Sequence, residues 1–453
     1  MADIAPPPDC FPTTVETLII GAGACGLVAA LAAHEAGQEV LIIERDAVPA
    51  GSTALSAGLI PAAGTVQQHA NGIEDTAELF ADDIQRKAND ENDPGLVDLM
   101  ARTAAPVIDW LTGAHDMPFT LVDDFDYPGH SRRRMHGLPS RSGQELVDAL
   151  RARVEAQGID IICKSIATTL FVDAGRIAGI AIRRTDGAQD VVGCRRLILA
   201  CNGFGGNAGK VATHMPQIAD ALWFGHGGNQ GEALDWAEAL GAQTRHLGAH
   251  QGHGNVADPH GSLITWAVIT EGGVQVNAKG QRFWNEAQGY SEAARAVLAQ
   301  PGGRAITLFD GRIAEIARQF ADFQAAEAQG AVQSARTLEE IETRFDLPAW
   351  SLSQTLERLP ETGRDAFGRE FAGKSLAPPF CAVRVTGALF HTQGGLIVDD
   401  RARAIKQDGT AFANLFAAGG AACGVSGQGD AGYLSGNGLL SAVTLGFIAG
   451  RSS

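Results

Sequence analysis

The sequence predicts an α/β protein whose main domain is interrupted by a second domain of α+β character. From Val15 to Glu44, a short apolar run, a glycine-rich turn, a helix-like segment and a second apolar run follow one another. A further buried run, 195–201, also leads into glycines, and residues 240–365 interrupt this pattern before strand-like runs return. Short β-branched runs bounded by glycine are typical of buried parallel strands, which are joined by helices.

The elements are predicted in chain order from their periodicity. Residues 1–14 are expected to be a proline-rich, disordered lead. Spacings of three to four between apolar residues predict helices within 74–112 and over 142–157, the latter capped by Ser142 with Glu145 three residues later. Residues 166–183 predict a hairpin that turns at 173–175. Further helices are expected near 291–299, 312–328, 337–358 and 438–449, and strands at 395–399 and 414–418.

These elements predict a discontinuous organisation. Residues 15–239 and 366–453 are expected to form one Rossmann-like domain, and residues 240–365 an inserted second domain. The segments 1–14 and 240–365 are thus set apart from the main sheet. A parallel sheet tolerates such an insertion because its strands need not be consecutive in sequence.

Composition excludes several classes of protein. The 453 residues carry a net charge of −17, so no basic field is available for nucleic acid. The seven cysteines are scattered and include no C-x-x-C pair, which disfavours disulfides and zinc, and no metal site is expected. We expect no signal peptide, no membrane span and a cytoplasmic location, because no apolar run reaches ~18 residues.

The strongest motif is the sequence Gly-Ala-Gly-Ala-Cys-Gly at 21–26. It follows a predicted strand and opens a helix, and Glu44 closes the next strand. This context predicts a dinucleotide site: Gly21 permits the tight turn, Gly23 the approach of a pyrophosphate, and Gly26 the packing of helix on strand. The helix N-terminus then faces the phosphates, while Glu44 accepts the ribose hydroxyls.

A second strand–glycine–helix element lies near the C-terminal end, in AAGGAACGV (417–425) and LSGNGLLSAV (434–443). A long two-part ligand needs such a distant second binding element. The helix N-terminus at 436–440 could face the electron-rich edge of a flavin.

Seven segments together resemble the flavoprotein subunits of fumarate reductase and succinate dehydrogenase, and with them 3-ketosteroid dehydrogenases and tricarballylate dehydrogenase. The segments follow the order of that family from about residue 15 onward. They are TLIIGAGACGLVAALAAHEAG (17–37), GSTALSAGLIPAAGT (51–65), RRLILACNGFGGN (195–207), GNQGEALDWAEALGA (228–242), GGVQVNAKGQRFWNE (272–286), HTQGGLIVD (391–399) and NLFAAGG with GYLSGNGLLSAVTLGFIAGR (414–451).

The resemblance implies FAD as the cofactor, and it implies that residues 240–365 are the family's inserted capping domain, which contacts substrate. The cofactor-binding residues that it implies are Gly21, Gly23, Gly26 and Glu44 at the AMP half, Ser52, Thr53, Ala57 and Gly58 near the isoalloxazine, and Gly420, Asn437, Gly438 and Leu440 at its far side. Family members that tether FAD covalently carry a histidine where this chain reads Gly51-Ser52-Thr53. The expected FAD is therefore non-covalent.

Two positions depart from the fumarate-reducing pattern. His253, Thr265 and His391 match the family's substrate-binding histidines and threonine. The proton-donating arginine, however, falls on Tyr290 and the second carboxylate-binding arginine on Tyr433. Loss of both guanidinium groups removes bidentate recognition of a dicarboxylate. The pattern instead resembles the ketosteroid dehydrogenases.

That resemblance implies a role for each tyrosine. Tyr290 would take the α-proton of a ketone, and Tyr433 would hydrogen-bond the ketone oxygen, assisted by a backbone N–H such as that of Gly436. A tyrosine ordinarily has a pKa near ~10, so a base role calls for a neighbouring cation. Arg384, His391 and His253 are the candidates.

Several of these residues have an alternative interpretation that does not involve catalysis. For His391 the alternative is a cap on a loop, and for Tyr290 it is a place on the surface. For Arg384 the alternatives are an ion pair with Asp399 and a contact with a substrate carboxylate. For the basic cluster 132–136 they are a solvated loop and the lining of the FAD or substrate entrance.

The predicted function is an FAD-dependent dehydrogenase that desaturates the α,β bond of a cyclic ketone or oxo-acid. The chain contains no haem motif C-x-x-C-H and no iron–sulfur cysteine pattern. A diffusible electron acceptor, a quinone or oxygen, is therefore expected. The alternatives are a fumarate-type enoate reductase with a separate electron donor, and a non-catalytic flavin-binding subunit.

Overall fold

A computed structural model describes residues 3–123, 125–373 and 375–452. Its strands, in chain order, are β1 (Asp3–Ala5), β2 (Thr14–Ile20), β3 (Val40–Ile43), β4 (Ile60–Pro61), β5 (Thr120–Leu121), β6 (Met135–Gly137), β7 (Asp160–Ile162), β8 (Ser165–Asp173), β9 (Arg176–Arg184), β10 (Gln189–Leu199), β11 (Leu222–Trp223), β12 (Thr244–Arg245), β13 (His250–Ala257), β14 (Val274–Val276), β15 (Arg304–Asp310), β16 (Gln333–Ala335), β17 (Thr362–Arg364), β18 (Glu370–Ala372), β19 (Phe380–Thr392), β20 (Gly395–Leu396), β21 (Arg403–Ile405) and β22 (Ala411–Ala417).

The helices lie mostly between these strands. In chain order they are α1 (Ala24–Glu35), α2 (Gly51–Ala54), α3 (Val66–Ala70), α4 (Ala77–Lys87), α5 (Pro94–Gly113), α6 (Gly143–Ala156), α7 (Ala208–His214), α8 (Glu232–Leu240), α9 (Ala267–Thr270), α10 (Tyr290–Leu298), α11 (Gly311–Ala317), α12 (Ala321–Ala328), α13 (Leu338–Arg344), α14 (Ser351–Glu357) and α15 (Asn437–Arg451). None of the helices in the described ranges is both long and apolar enough to cross a membrane.

The chain divides into two compact units. Unit 1 comprises residues 1–215, 225–250 and 391–453, and unit 2 comprises residues 216–224 and 251–390. The expected boundaries at 240 and 365 therefore differ from those of the structure. The end moves to 390 because β19 is one long strand that pairs with β15 and β16 of the second sheet. The segment 216–224 joins unit 2 because β11 also pairs with β19.

Unit 1 is built on a sheet to which nine strands of the described chain contribute. Its centre is parallel, with β10 beside β2, β2 beside β3 and β3 beside β7. The last residues of β10 also pair with β22 in parallel, whereas its first residues pair with β9 in the predicted hairpin. This arrangement confirms the α/β class, and it places the ends of β2 and β10 side by side.

The N-terminal segment is ordered over its described residues, 3–14, which corrects the expectation of a disordered lead. β1 adds to the edge of the unit 1 sheet by pairing in parallel with β8. Phe11 packs edge-on against Phe171 of β8, with ring centroids 5.8 Å apart. Strand pairing and one aromatic contact thus outweigh the flexibility that the proline-rich composition suggested.

Helix α1 is buried along most of its length, and α15 packs directly on it. A Cβ atom on Gly446 would lie 2.6 Å from the carbonyl oxygen of Cys25, and one on Gly450 would lie 2.4 Å from that of Ala29. Both distances are shorter than any real carbon–oxygen contact, so the two helix backbones touch because glycine occupies these positions. The N-terminal ends of both helices are thereby fixed within one unit.

Unit 2 contains its own mixed sheet, to which six strands of the described residues contribute. Its long central strand, β19, pairs antiparallel with β15 and β16 and parallel with β11. Apolar side chains cover both faces of β19. Val383 and Val385 belong to one cluster, and Phe380 and Ala382 belong to the other. The inserted segment therefore has its own core, as an α+β domain requires.

Several local predictions are confirmed and others are corrected. The hairpin turns between β8 and β9 as predicted, and Ser142 caps α6 by accepting a hydrogen bond from the Gln144 N–H at 3.2 Å. Glu145 does not complete a capping box, because its carboxylate accepts from the Ser140 N–H instead. The helical stretches predicted at 312–328 and 337–358 are each split into two helices.

The basic cluster at 132–136 is not simply a solvated loop. The side chain of Arg134 is fully buried and donates two hydrogen bonds of 2.9 Å to Asp75 and one of 2.6 Å to Asp83. His136 is also buried, and its Nε2 lies 2.8 Å from the hydroxyl of Thr65. Burial holds the pKa of His136 at about 4. The cluster therefore anchors the segment before β6 to helices α3 and α4.

Replacing Arg134 should destabilise unit 1 strongly. Arg134→Met leaves the buried carboxylate of Asp75 without its cation and removes one of the two arginines that pair with Asp83, which costs about 3–5 kcal/mol of unfolding free energy. The matched control is Arg133→Met, whose exposed partner is Asp126 and whose expected cost is about 0–1 kcal/mol. Denaturant unfolding followed by tryptophan fluorescence measures both, and equal losses would contradict the structural role of Arg134.

Candidate active site

The glycine-rich turn lies between β2 and α1, as predicted. A Cβ atom on Gly26 would meet the carbonyl oxygen of Gly21 at 1.9 Å, and one on Gly21 would meet that of Ala200 at 2.5 Å. The N-cap of α1 is Gly23, which has no side chain to cap the helix, and the Thr53 hydroxyl takes only the N–H of the first helical residue, Ala24. The following N–H groups of the first turn are therefore left for a ligand phosphate.

Glu44 lies at the end of β3, beside this turn. Its side chain is buried, and its carboxylate accepts hydrogen bonds from the N–H groups of Ala22 at 2.6 Å and Asp46 at 2.9 Å. Two backbone donors fix the carboxylate but leave acceptor positions on both oxygens. These positions suit the hydroxyls of a ribose.

Ser52 and Thr53 are the two central residues of α2, which lies beside the start of α1. The Thr53 hydroxyl accepts a hydrogen bond from the Ala24 N–H at 3.0 Å. The Ser52 hydroxyl accepts from the side-chain amides of Asn202 at 3.0 Å and Asn229 at 2.9 Å. The sequence analysis did not name either asparagine as a site residue, although they lie in the family-like segments 195–207 and 228–242. The signal that could have identified them is that each asparagine is adjacent to a glycine in such a segment.

The other predicted cofactor residues are distributed around α2 and α15. Gly58 packs on the backbone of Ser142, Ala57 is exposed, Gly420 lies against Asn202, and Leu440 is buried in the core of unit 1. Asn437 is the first residue of α15 and is fully buried, and its Oδ1 has no hydrogen-bond partner among the described residues. Such an acceptor requires a donor from a ligand.

These features fit the FAD that the sequence implies. The uncapped start of α1 suits the pyrophosphate, Glu44 suits the ribose, and the orphaned Oδ1 of Asn437 suits an N–H group of the isoalloxazine. The donors and acceptors thus match the two ends of one long, polar cofactor.

Tyr433 precedes α15 by four residues and is buried. Burial raises the pKa of its hydroxyl to about 12, although the N–H groups of Gly438 and Gly436 act in the opposite direction. The phenol therefore keeps its proton through the neutral range, and its oxygen lies against two backbone donors. A protonated phenol held in this way is a hydrogen-bond donor and not a base.

His391 is the last residue but one of β19 and belongs to unit 1. Its side chain contacts the start of α15. A Cβ atom on Gly438 would lie 3.9 Å from both Cε1 and Nδ1 of His391. The side-chain amide of Gln393 lies 2.7 Å from Nδ1. Burial lowers the pKa of His391 to about 4. The imidazole is therefore neutral at neutral pH and carries no charge toward a ligand.

Unit 2 contains a stack of four rings. The ring of Phe224 lies on Phe390 with centroids 4.7 Å apart, Phe390 on His253 at 5.3 Å, and His253 on Tyr290 at 5.2 Å. The planes of successive rings deviate by 12°, 20° and 22°. Trp266 closes the stack from the side, edge-on to His253. The structure therefore brings two predicted residues, His253 and Tyr290, into direct contact.

Glycines on both sides of His253 make this contact possible. A Cβ atom on Gly252 would lie 2.7 Å from the carbonyl oxygen of Ser291, and one on Gly254 would lie 2.5 Å from that of Ala293. The N–H of Gly252 also donates to the Ser291 hydroxyl at 2.9 Å. Strand β13 therefore touches the first turn of α10, and His253 is held on the ring of Tyr290.

The ionisation of His253 is set by burial, which lowers its pKa to about 3. The Asn255 N–H lies 3.2 Å from Nδ1, so the neutral ring carries its proton on Nε2. Thr265 follows Ile264, whose backbone pairs with that of Asn255. His253, Thr265 and Tyr290 thus belong to one neighbourhood around Trp266.

Arg384 lies elsewhere in unit 2. Its guanidinium is 6.0 Å from the ring centroid of Phe345, a member of the cluster on one face of β19. Tyr290 packs against the cluster on the opposite face. Asp399, the other partner considered, is bound by Arg403 at 2.7 Å. The structure does not bring Arg384 to Tyr290.

None of the three candidate residues, Arg384, His391 and His253, places a positive charge beside Tyr290. His253 touches Tyr290 but is neutral, because burial lowers its pKa to about 3. His391 is neutral for the same reason. The interpretation that one of these side chains lowers the pKa of Tyr290 by its charge is therefore wrong for both histidines.

Comparisons with known proteins agree with the geometry of unit 1. A family model described as the FAD binding domain matches residues 16–439. A probable fumarate reductase of Shewanella frigidimarina is 30% identical over 452 residues, which cover 97% of this chain and 75% of the relative. The 4-oxocyclohexanecarboxylate 2-dehydrogenase of Sinomonas cyclohexanicum is 26% identical over an alignment of 546 residues including gaps. The alignment covers 97% of this chain and 93% of the relative.

Solved structures show the same fold. The open conformation of a flavocytochrome c3 fumarate reductase matches 98% of this chain and 78% of its own, with a TM-score of 0.84 and 28% identity. A 3-ketosteroid-Δ4-(5α)-dehydrogenase from Rhodococcus jostii RHA1 matches 100% of this chain and 99% of its own, with a TM-score of 0.80. The second match, at 24% identity, concerns the fold alone.

Gly26→Ala should abolish FAD binding, because its methyl group would meet the Gly21 carbonyl oxygen at 1.9 Å. The purified variant is expected to lack the visible flavin absorbance of the parent protein. Gly113→Ala is the matched control, since it also lies in a helix but has open space around the new methyl group. Normal flavin content in Gly26→Ala would contradict the assignment of this turn.

Proposed function

The chain belongs to the FAD binding domain family and is an FAD-dependent oxidoreductase, and from this premise we propose that it desaturates the α,β carbon–carbon bond of a ketone. The substrate class is a cyclic ketone or an oxo-acid. The observation that carries the proposal is the pair Tyr290 and Tyr433, which occupy the positions where a fumarate-reducing pattern has arginines.

The surroundings of the two tyrosines support a ketone and not a dicarboxylate as the substrate. Tyr290 contacts aromatic rings, those of His253 and Trp266. Tyr433 is buried and keeps its proton, because the pKa of its hydroxyl is raised to about 12. Neutral donors and rings bind a ketone well, whereas a dicarboxylate favours guanidinium partners.

The curated relative from Sinomonas cyclohexanicum supports the same substrate class. Its name describes a dehydrogenase that acts on 4-oxocyclohexanecarboxylate, a ring that carries both a ketone and a carboxylate. This relative covers nearly the whole chain. A ring of this size also suits the stack of aromatic side chains in unit 2.

The proposed reaction removes two hydrogens from adjacent carbons of the substrate. Tyr433 donates a hydrogen bond to the ketone oxygen, which acidifies the α-carbon and stabilises the negative charge that develops on that oxygen. Tyr290 accepts the α-proton. The neutral His391 donates from Nε2 to a substrate oxygen.

FAD would be held by the start of α1, Glu44, Ser52 and Asn437, and bound FAD supplies the acceptor for the hydride that leaves the β-carbon. The binding is proposed to be non-covalent, since Gly51-Ser52-Thr53 offers no histidine for a tether. A diffusible acceptor, a quinone or oxygen, would then reoxidise the cofactor. Arg384 has no role in this proposal, because it lies on the other face of β19.

An enoate reductase of the fumarate type is the second candidate. The observations that favour it are the presence of His253, Thr265 and His391 and the name of the relative from Shewanella frigidimarina. It would run in the opposite direction, with electrons from a separate donor. A non-catalytic flavin-binding subunit would instead hold a flavin that no substrate reduces or reoxidises.

Saturated cyclic ketones and oxo-acids should bleach the flavin of the anaerobic protein. The substrate loses two electrons as its double bond forms, and the visible absorbance of oxidised flavin disappears. A control with the corresponding saturated alcohol, which lacks the carbonyl, should leave the absorbance unchanged. An oxidised flavin that no ketone bleaches, but that enoates reoxidise after chemical reduction, would establish the reductase instead.

Both tyrosines should be required for turnover but not for FAD binding. Tyr290→Phe should abolish desaturation because the base is lost, and Tyr433→Phe should lower kcat by about 10²–10³-fold because one oxyanion donor is lost. The third tyrosine, Tyr127, which packs on Phe125, provides the matched control Tyr127→Phe. Full activity in Tyr290→Phe would remove that residue from the base role.

A further inference from the structure

Three buried polar side chains of unit 1 and the half-buried His391 form a continuous hydrogen-bonded chain that ends at His391. Asn437 donates from Nδ2 to the Ser426 hydroxyl at 2.9 Å. The Ser426 hydroxyl donates to Oε1 of Gln393 at 3.1 Å, and Nε2 of Gln393 lies 2.7 Å from Nδ1 of His391. Gln393, Ser426 and Asn437 are each at most 4% exposed. We name these three residues and His391 the α15 relay.

The direction of every bond in the α15 relay follows from the orientations of its two amide groups in the structure. The Ser426 hydroxyl receives the N–H of Asn437 and has one proton to give, which points to the carbonyl oxygen of Gln393. The amide of Gln393 is thereby oriented with its NH₂ group toward His391. An NH₂ group can only donate, so Nδ1 must accept, and the single proton of the neutral imidazole lies on Nε2.

We propose that Gln393 and Ser426 are positioning residues that hold His391 as the neutral Nε2–H tautomer and tie its orientation to the first residue of α15. Two backbone hydrogen bonds fix the central residue of the relay. The Gln393 N–H donates to the carbonyl of Ala249 at 2.8 Å, and the Gly424 N–H donates to the carbonyl of Gln393 at 2.8 Å. The backbone that carries the Gln393 amide is therefore held in place by the fold itself.

The relay also connects the two kinds of site residue in unit 1. Asn437 gives its N–H to Ser426, while its Oδ1 is buried without a partner among the described residues. That oxygen is the atom available to a donor of FAD. A cofactor bound at Asn437 and a substrate bound at His391 would thus be held by one hydrogen-bonded unit. Bonds that point in one direction also strengthen one another.

The sequence pattern gives this role to Gln393 in particular. It is the x of the segment His-Thr-x-Gly-Gly at 391–395. A methionine at that position could fill the same volume but could not donate to Nδ1. The tautomer of His391 is therefore set by a residue outside the recognised motif.

The inference rests on the proposed function only for the substrate oxygen that Nε2–H would contact. Its structural content is tested independently by nitrogen NMR of the FAD-loaded protein labelled at histidine, with His391→Asn used to assign the signals. In the parent protein, Nε2 of His391 should give the signal of a protonated nitrogen and Nδ1 that of an unprotonated one.

Two substitutions should change this signature in different ways. Gln393→Met removes the donor, so His391 should exchange between tautomers, and KM should rise about 3- to 10-fold while kcat changes less, because one hydrogen bond between neutral groups is lost. Gln393→Glu places an acceptor at Nδ1, which should become protonated. Visible flavin absorbance verifies that each variant folds and retains FAD.

Gln243→Met is the matched control. The side-chain amide of Gln243 also donates a partly buried hydrogen bond within unit 1, to the carbonyl of Lys406 at 2.8 Å. It should leave the His391 signals and KM unchanged. An unaltered His391 signature in both Gln393→Met and Gln393→Glu would overturn the proposal. If the signature changes as expected but no ketone is turned over, the relay stands and the proposed desaturation fails.

Discussion

The close contact between α1 and α15 is the constraint on which the cofactor site depends. Because Gly446 and Gly450 let α15 lie directly on the backbone of α1, the starts of both helices are fixed within one rigid core. One start faces the pyrophosphate position and the other carries Asn437. A side chain at either glycine would separate the helices and change the length of ligand that the unit can hold. The FAD assignment therefore depends on helix packing as much as on the glycine-rich turn.

The sequence was sufficient for features that depend on local pattern. The β2–α1–β3 unit, the hairpin of β8 and β9 and the helix before Gln157 all follow from apolar periodicity and turn residues. The end of the inserted domain could not be predicted in this way, because β19 belongs to unit 2 only through its pairing with β15 and β16. Strand pairing over such distances leaves no local signal.

The candidate site divides along the same line. Residues of the glycine-rich turn and Glu44 could be named because backbone geometry demands those residue types. The charge states could not, since His253 and His391 are neutral only because the fold buries them. The same burial keeps the proton on Tyr433. The interior groups proposed to contact the substrate are thus neutral donors and aromatic rings. Such groups suit a ketone, so two tyrosines in the place of two arginines agree with the proposed substrate.

The division of the chain has a consequence for how such a protein can change during evolution. Unit 2 consists of a nine-residue excursion, 216–224, and a long insertion, 251–390. Phe224, at the end of the excursion, begins the ring stack that Tyr290 completes. Exchanging the long insertion alone would leave Phe224 against a foreign partner. An exchange of the whole segment 216–390 preserves the stack, but it also carries residues 225–250 of unit 1.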